Sequence, residues 1–447
     1  MPVLRFLLAA ALLAATVATP ARAISLLRDP DIEYALDRLA QPVLKAAGLG
    51  ATRIDIMVVD DRSLNAFVVD RNHIFIHSGL LLKMTRAAML QAVIAHEASH
   101  ITNGHLTRRP INMRNARTAA GIGAALAAAA AVATGEGSIA GIGALGAAGT
   151  AQRLFFVHTQ AEENAADQSG MRYLATAGVD PQGMLEVIDI FRGQELLGPG
   201  RQDPYARTHP LSRDRYRVIE RLAAGYQNQV QDGGDAASDY WYQRAKGKLS
   251  AFQRAPKWTL TRAGESGHED IKAMREAVAY HRQSDLARAT AAIDRAIALR
   301  PGDPFYLELK GQILFESRRF SQAVAVYAEA VRIVPKNALI LGSYGRALLA
   351  VGQTAEAVKY LGQSYDRDGR DPRVLVDLAR AHAELGNRGM ASLVTAERYA
   401  MSGRMEDAGI HAKRASDLLP QGSTGWRRAQ DVLAASEHAA KDKKRRK

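Results

Sequence analysis

A repeat of about 34 residues in the C-terminal half constrains the fold of this 447-residue chain more than any other feature. Small residues return at this interval, as at Gly311 and Gly345 and at Ala289, Ala323, Ala357 and Ala391. The dipeptides Asp303–Pro304, Asn337–Ala338 and Asp371–Pro372 also follow it, and two of them place proline at a helix end. A small residue at a fixed position of every unit lets two helices approach closely. The sequence therefore predicts stacked helix pairs.

A period of about this length is typical of tetratricopeptide (TPR) repeats. We count about four units from Ile271 to Pro420, and the last is irregular, because the step Gly386 to Ala391 returns at Gly403 to Ala408 after only half a period. Stacked units form a concave groove that binds peptides or partner proteins. This half contains no pattern of catalytic residues.

The N-terminal half contains the sequence His96-Glu97-Ala98-Ser99-His100, inside a run with helical character from Met89 to Ile101. Residues four apart project from the same face of a helix, so His96 and His100 can bind one ion. Two histidines at this spacing suit zinc, and Glu97 can act as a general base on a zinc-bound water. A chance match on a surface helix is the alternative for this motif taken alone.

A second helical segment supplies carboxylates, as a hydrolytic zinc site needs a third protein ligand. Glu163 and Asp167 are four residues apart, so one can bind metal while the other holds a ligand imidazole. Thr208-His209-Pro210 is a third signal further along. Because the chain has no cysteine, any zinc site must use histidine and carboxylate.

These motifs, H-E-x-x-H, E-x-x-A-D and T-H-P, resemble those of the zinc metallopeptidase family that includes HtpX and the CAAX prenyl proteases. The resemblance extends to a soluble branch with a signal peptide and a C-terminal TPR domain. It implies one zinc ion per chain, held by His96, His100 and Glu163, with Glu97 as the base. It also implies that His209 occupies the fourth zinc position as a regulatory cap, and Asp167 would orient a ligand histidine.

The expected fold class is α+β, mainly α: a zincin-type metalloprotease domain with a small antiparallel sheet, followed by an α-solenoid of TPR helix pairs. Arg53–Val59 and Ile74–His77 are predicted strands, because both alternate and are rich in β-branched residues. A third short run lies between them. An edge strand beside the zinc helix would pair with extended substrate. Either the segment at Asn65, Ala66 and Phe67 or the strand at Ile74 could supply this edge, and the resemblance favours the first.

Four further histidines are expected to be surface or core residues, because three ligands are already present: His73, His77, His105 and His158. His105 is the nearest to the motif. It follows His100 by five residues, which rotates it away from the ligand face.

The N-terminus predicts export. A basic start at Met1–Arg5, an apolar core at Phe6–Val17 and an A-x-A site at Ala21–Ala23 form a signal peptide at 1–23. An uncleaved membrane anchor is the alternative, but the apolar core is short for a spanning helix. With the family resemblance, the expected location is the bacterial periplasm.

The remaining chain divides into a metallopeptidase domain at 24–230, a linker and first helix at 231–270, a TPR domain at 271–437 and a basic tail at 438–447. An Ala/Gly-rich hairpin at 119–151 either packs tightly within the protein or touches a membrane or a membrane-protein partner. The net charge of +13 is partly due to the tail. We expect this tail to be solvated and disordered, with anionic lipid as the alternative partner and no nucleic acid.

The leading function is therefore a zinc endopeptidase whose TPR domain binds protein. By resemblance, its partners are unfolded or misassembled proteins, outer-membrane β-barrel proteins and their assembly machinery, with contact to the membrane surface as a further option. The alternative is a periplasmic chaperone or assembly adaptor with only latent proteolysis. A purely structural zinc site is a third option, which three firm ligands and an open position disfavour.

Overall fold

The structure is a computed structural model, and it describes residues 25–105, 160–197, 201–227, 235–369 and 371–445. The expected signal peptide at 1–23, the Ala/Gly-rich segment at 119–151 and His158 lie outside the described residues. Within the described ranges, no helix is both long enough and apolar enough to cross a membrane.

The N-terminal domain packs helices on one face of a small sheet. Helix α1 begins firmly, because the Asp29 side chain accepts hydrogen bonds from the backbone N–H groups of Asp31 and Ile32. The elements in chain order are β1 Leu26–Leu27, α1 Pro30–Ala46, β2 Asp55–Val59, β3 Ala66–Val68, β4 His73–His77, α2 Ser78–Lys83, α3 Ala87–Thr102, α4 at 160–176, α5 Gln182–Ile190, a 3-10 turn Gln194–Leu196, α6 Pro204–Thr208 and α7 Arg213–Gln227.

The sheet has the strand order β1-β2-β4-β3, and it is mixed. Strands β1 and β3 run antiparallel to their neighbours, but β2 and β4 pair in parallel, with Asp55 opposite His73 and Val59 opposite His77. The prediction of an antiparallel sheet was therefore wrong for this pair. A parallel pair needs a crossover of a dozen or more residues, and the segment 60–72, which contains β3, provides it. As a result β3 lies at an edge of the sheet that the described residues form, which is the position that the family resemblance favours.

Helix α3 lies in the centre of this domain, and every residue from Ala87 to His100 is buried. A helix that is apolar on all sides can be stable only inside a core. It packs against α1, α5 and β3. The H-E-x-x-H motif is thus held on a helix that is buried from Ala87 to His100.

The C-terminal half is a stack of helix pairs. It follows helix α8 Ala236–Gln253, helix α9 Pro256–Thr261 and a 3-10 turn Ala263–Ser266. The stacked helices are α10 Glu269–Arg282, α11 Leu286–Leu299, α12 Pro304–Glu316, α13 Phe320–Ile333, α14 Ala338–Ala350, α15 Thr354–Arg367, α16 Pro372–Glu384, α17 Arg388–Met401, α18 Met405–Leu418 and α19 Thr424–Arg445.

The helix boundaries follow the repeat predicted from the sequence. Helices α11, α13, α15 and α17 each begin one full period after the previous one, and α18 begins half a period after α17. At two repeat positions glycine is required by packing. A Cβ on Gly311 would lie 2.7 Å from the Tyr327 ring, and one on Gly345 would lie 2.6 Å from Leu361 Cγ. The prediction of a TPR-type solenoid with close helix pairs is confirmed.

Helix α8 joins the two halves through its buried side chains. Tyr242, Ala245 and Leu249 belong to the core of the N-terminal domain, whereas Tyr240 and Ala251 belong to the core of the first repeat. Because one helix contributes to both cores, movement of one half against the other requires α8 to lose apolar contacts.

Two cations of α8 lie fully buried in the same interface. Arg244 Nε lies 2.7 Å from Asp31 Oδ1 at the start of α1, and Arg244 Nη1 lies 2.6 Å from Asp303 Oδ2 at the start of α12. Lys248 Nζ lies 2.9 Å from Asp29 Oδ2 and 3.8 Å from Glu308 Oε2. The N-caps of one helix from each half are therefore tied to the same helix.

The tail differs from its prediction. Helix α19 continues to Arg445, so residues 438–445 are helical rather than disordered. Alanine, lysine and arginine, which are strong helix formers, make up most of this stretch, and this composition explains the continuation of the helix.

Candidate metal centre

Two imidazoles and a carboxylate converge where α3 meets α4. His96 Nε2 and His100 Nε2 lie 3.1 Å apart, one helical turn from each other on α3. Glu163 of α4 faces them, with Oε2 3.3 Å from His96 Nε2 and Oε1 3.4 Å from His100 Nε2. All three side chains are buried.

His209, which follows α6, brings a fourth nitrogen to this group. The ligand atoms of His96, His100, Glu163 and His209 all lie within 4.8 Å of one another. A tetrahedral zinc ion with bonds of about 2.0–2.1 Å would hold its ligand atoms roughly 3.3 Å apart. The measured separations among the first three lie close to this value. The donor set therefore fits one metal ion of this size.

Asp167 holds the far side of the His96 ring. Its Oδ1 lies 3.0 Å from His96 Nδ1, so an N–H on Nδ1 leaves Nε2 free to bind a metal. Arg215 of α7 in turn holds Asp167, because its Nε donates to Oδ2 at 2.5 Å and its Nη2 donates to Oδ1 at 2.9 Å. The orientation of the His96 ring thus depends on a chain of two buried side chains.

Arg215 also contacts the other parts of the centre. Its Nη1 lies 3.2 Å from Glu163 Oε2 and donates to the backbone carbonyl of His209 at 3.3 Å. Arg215 was not predicted as a site residue. Its position in the sequence could have indicated it, because Arg215 shares the buried face of α7 with Ile219 and Ala223, and a charged residue on an apolar helix face needs a buried partner.

The electrostatics of the centre favour a cation. Burial lowers the pKa of His96, but hydrogen bonds and charges of Asp167 and Glu163 outweigh it and raise this pKa to about 10. Burial raises the pKa of Glu163, yet His209, Arg215 and His96 hold it well below its usual range. The pKa of Asp167 is lowered as well, since Arg215 outweighs burial. Both carboxylates stay ionised.

Glu97 lies beside the fourth ligand position rather than among the four donors. Its Oε1 is 3.5 Å from His209 Nε2, and its side chain is buried. A water molecule in the place of this nitrogen would lie near hydrogen-bonding distance of the Glu97 carboxylate, as a general base requires. The structure therefore brings all the predicted ligands together, with Glu97 next to the position where a water would bind.

The centre lies in a region that matches a known family. Residues 27–223 match the model of Peptidase family M48. They form an M48 metallopeptidase domain. The chain is 27% identical over 414 residues to the Beta-barrel assembly-enhancing protease of Escherichia coli (strain K12). This alignment covers 89% of this chain and 81% of that protein. It is also 27% identical over 195 residues to the mitochondrial metalloendopeptidase OMA1 of Danio rerio, which covers 43% of this chain and 40% of that protein. Among solved structures, the TPR protein YrrB aligns with 41% of this chain and 97% of its own, at 19% identity and a TM-score of 0.30.

Tyr205 of the M48 domain positions His209. The two rings stack with centroids 4.3 Å apart, and Phe191 stacks on the other side of Tyr205 at 4.8 Å. Burial raises the pKa of Tyr205 well above its usual value, with the Glu97 charge adding to the effect, so its hydroxyl stays protonated. Tyr205 was not predicted as a site residue, because its stacking between Phe191 and His209 arises only when these segments meet in the folded domain.

The described residues leave little space beside His209. The cavity lined by His96, Tyr205 and His209 has a volume of about 20 Å³, which accommodates about one water molecule. Among the described residues, this cavity is too small for a peptide.

The other histidines that the structure describes in the M48 domain, His73, His77 and His105, lie outside the group of four. His105 Nδ1 is 2.9 Å from His100 Nδ1, on the side of that ring away from Glu163. His105 lies away from the ligand face of α3, as predicted, but its contact with His100 was not predicted. His73 lies beside Asp70, and His77 lies 3.0 Å from Ser63 Oγ.

The predicted substrate edge coincides with strand β3. Asn65 precedes it and Ala66 and Phe67 lie within it, next to α3. The Asn65 carbonyl accepts a hydrogen bond from His77 N–H, which anchors one side of β3 to β4. The other side of β3 is the outer edge of the sheet.

Proposed function

We propose that this metalloprotease is a zinc-dependent endopeptidase of the bacterial periplasm that acts on outer-membrane β-barrel proteins during their assembly. The observation that carries the proposal is a buried set of imidazole and carboxylate donors with Glu97 beside the fourth position. Such a donor set suits zinc. The substrate class is inferred from the name of the E. coli relative, and the location from the signal-peptide pattern at 1–23.

The residues divide the chemistry among themselves. Zinc bound by His96, His100 and Glu163 would polarise the scissile carbonyl and acidify a water molecule. Glu97 takes the proton of this water as its oxygen attacks the carbonyl carbon, and then passes the proton to the leaving amine nitrogen as the C–N bond breaks. Asp167, held by Arg215, keeps the His96 ring in position throughout.

The substrate would bind as an added strand along β3. Backbone hydrogen bonds to an edge strand tolerate many side chains, which suits an enzyme that meets unfolded proteins of varied sequence. Asn65, Ala66 and Phe67 would form this contact, since they lie next to the helix that carries the metal ligands.

His209 is proposed to keep the enzyme latent. Among the described residues, its nitrogen fills the position that a catalytic water would need, and the cavity beside it is too small for a peptide. Replacement of His209 by alanine should leave the metal bound by three ligands and raise casein cleavage several-fold. The measurement is metal content and casein cleavage, side by side, for both forms of the mature protein.

A surface histidine supplies the control for this experiment. His438 of α19 is exposed, and His438→Ala should behave as the wild type. Metal loss in His209→Ala, or activity equal to or lower than that of the wild type, would contradict the cap.

Asp167→Asn should weaken metal binding by about 10- to 100-fold, because the neutral amide no longer balances Arg215 or fixes the proton of His96 on Nδ1. Competition with a chelator at fixed pH measures this affinity. Asp214→Asn makes the same chemical change at an exposed position of α7 and should have no effect. Equal affinities for the two variants would show that Asp167 does not support His96.

A second function, as chaperone or assembly adaptor, is favoured by the small cavity beside His209 and by the solenoid. A protein that stays latent in its resting conformation can still hold an unfolded partner in the groove of its repeats. The two functions are compatible, and the effect of Glu97→Gln on the integrity of the cell envelope separates them.

A further inference from the structure

Two phenylalanines form a stacked pair on the outer face of the sheet. Phe67 of the edge strand β3 and Phe75 of β4 lie opposite each other in register, with ring centroids 5.2 Å apart and planes at 15°. Both side chains are only partly buried. The His77 ring lies edge-on to Phe67 at 5.9 Å. The face opposite to α3 therefore ends in an accessible aromatic surface at the sheet edge.

The hydrogen-bond pattern determines which backbone groups of β3 face outward. Asn65 pairs with His77 through a hydrogen bond, so in this antiparallel ladder Phe67 makes the next hydrogen-bonded pair, with Phe75. The backbone groups of Ala66 and Val68 then point away from β4. Within the described ranges these groups make no other backbone hydrogen bond. They are placed to pair with an added strand.

This register brings one position of an added strand closest to Phe67. The residue opposite Phe67 would be a non-hydrogen-bonded pair, in which the two Cα atoms approach to about 4.5 Å if the added strand is antiparallel. Its side chain would lie on the same face as Phe67, within direct contact. The side chains of Ala66 and Val68 point the other way, into the core.

We propose that Phe67, supported by Phe75, selects an aromatic or large apolar residue at one position of the bound substrate. This proposal rests on the proposed function, and it narrows the substrate class to unfolded segments with alternating apolar residues. Strands of outer-membrane β-barrels have this alternation, with aromatic residues near both ends. Only every second side chain of the bound substrate strand lies on the same face as Phe67, so the residues on either side of the selected position are not selected by it.

The test uses a series of quenched fluorescent peptides that differ at one position at a time, with Ala, Leu, Phe, Tyr or Asp. At one position the wild type should cleave the Phe and Tyr peptides about 3- to 10-fold faster in kcat/KM than the Ala peptide. In Phe67→Ala this ratio should fall to below about 2. Phe67→Tyr should retain it, and so should Val69→Ala, an exposed neighbour beyond the strand.

The ratio separates selection from general damage to the strand. If Phe67→Ala lowers the rates for all peptides by the same factor, or if the wild type shows no aromatic preference at any position, the proposal is wrong. If neither the wild type nor the His209→Ala protein, in which the proposed cap is removed, cleaves any peptide, the proposed function fails instead. Selection is then measured as binding of the same peptides to the Glu97→Gln protein by fluorescence anisotropy, where the same 3- to 10-fold preference is expected.

Discussion

Replacement of Glu97 by glutamine should reduce peptide-bond cleavage by about 10²- to 10⁴-fold without loss of the metal. Glutamine has nearly the same shape as glutamate, but it cannot take a proton from water. Since Glu97 lies outside the four-donor group, the ligand set remains complete. The measurement is casein cleavage and metal content per chain, made on the wild type and the variant in parallel.

Glu220→Gln is the matched control, because it makes the same change at an exposed position of α7 and should retain full activity. Cleavage by a pure, metal-loaded Glu97→Gln protein at the wild-type rate would remove Glu97 from the mechanism. Metal loss in this variant would instead indicate that Glu97 is itself a ligand.

The same variant separates proteolysis from protein binding in cells. If Glu97→Gln fully supports the integrity of the cell envelope in a strain that lacks the wild-type protein, the binding role of the TPR domain is primary. If envelope defects appear although the variant is present at normal levels, cleavage itself is needed.

Arg244→Ala should lower the free energy of unfolding by about 3–5 kcal/mol, the largest stability effect that we expect from a single replacement. Arg244 is fully buried, and burial lowers its pKa, but the charges of Asp31 and Asp303 and the hydrogen bond to Asp303 together outweigh burial and keep the guanidinium ionised. Without the guanidinium, Asp31 loses its closest cation inside the core, and Asp303 loses both of its hydrogen bonds from Nη1 and Nη2. Urea unfolding followed by circular dichroism measures the loss.

The exposed pair of Arg288 and Asp285 provides the comparison. Its atoms lie 2.6 Å apart, about as close as those of Arg244 and Asp31, but the Arg288 side chain is 62% exposed. Solvent screens such a pair, so Arg288→Ala should lower the free energy of unfolding far less than Arg244→Ala. If both variants lost the same free energy of unfolding, burial of Arg244 would not determine the size of the loss. A selective loss would show that α8 holds the two halves together.

The sequence by itself determined the features that depend on local periodicity. The repeat period predicted that the C-terminal half consists of stacked helix pairs, and the helices begin at intervals of this period. The geometry of a helix predicted that His96 and His100 would point to one side of α3, and that Glu163 and Asp167 would point to one side of α4. In each case the spacing along the chain contains the needed information.

Only the tertiary structure decided how distant segments meet. The sequence of α7 can indicate that Arg215 needs a buried partner, but not that this partner is Asp167. Nothing local in the sequence indicates that Tyr205 stacks on His209 or that α8 lies in both cores. The parallel pairing of β2 with β4 is of the same kind, because it depends on the route of the connecting segment. These contacts form when the whole core excludes water, and their energies depend on burial, which a local pattern does not contain.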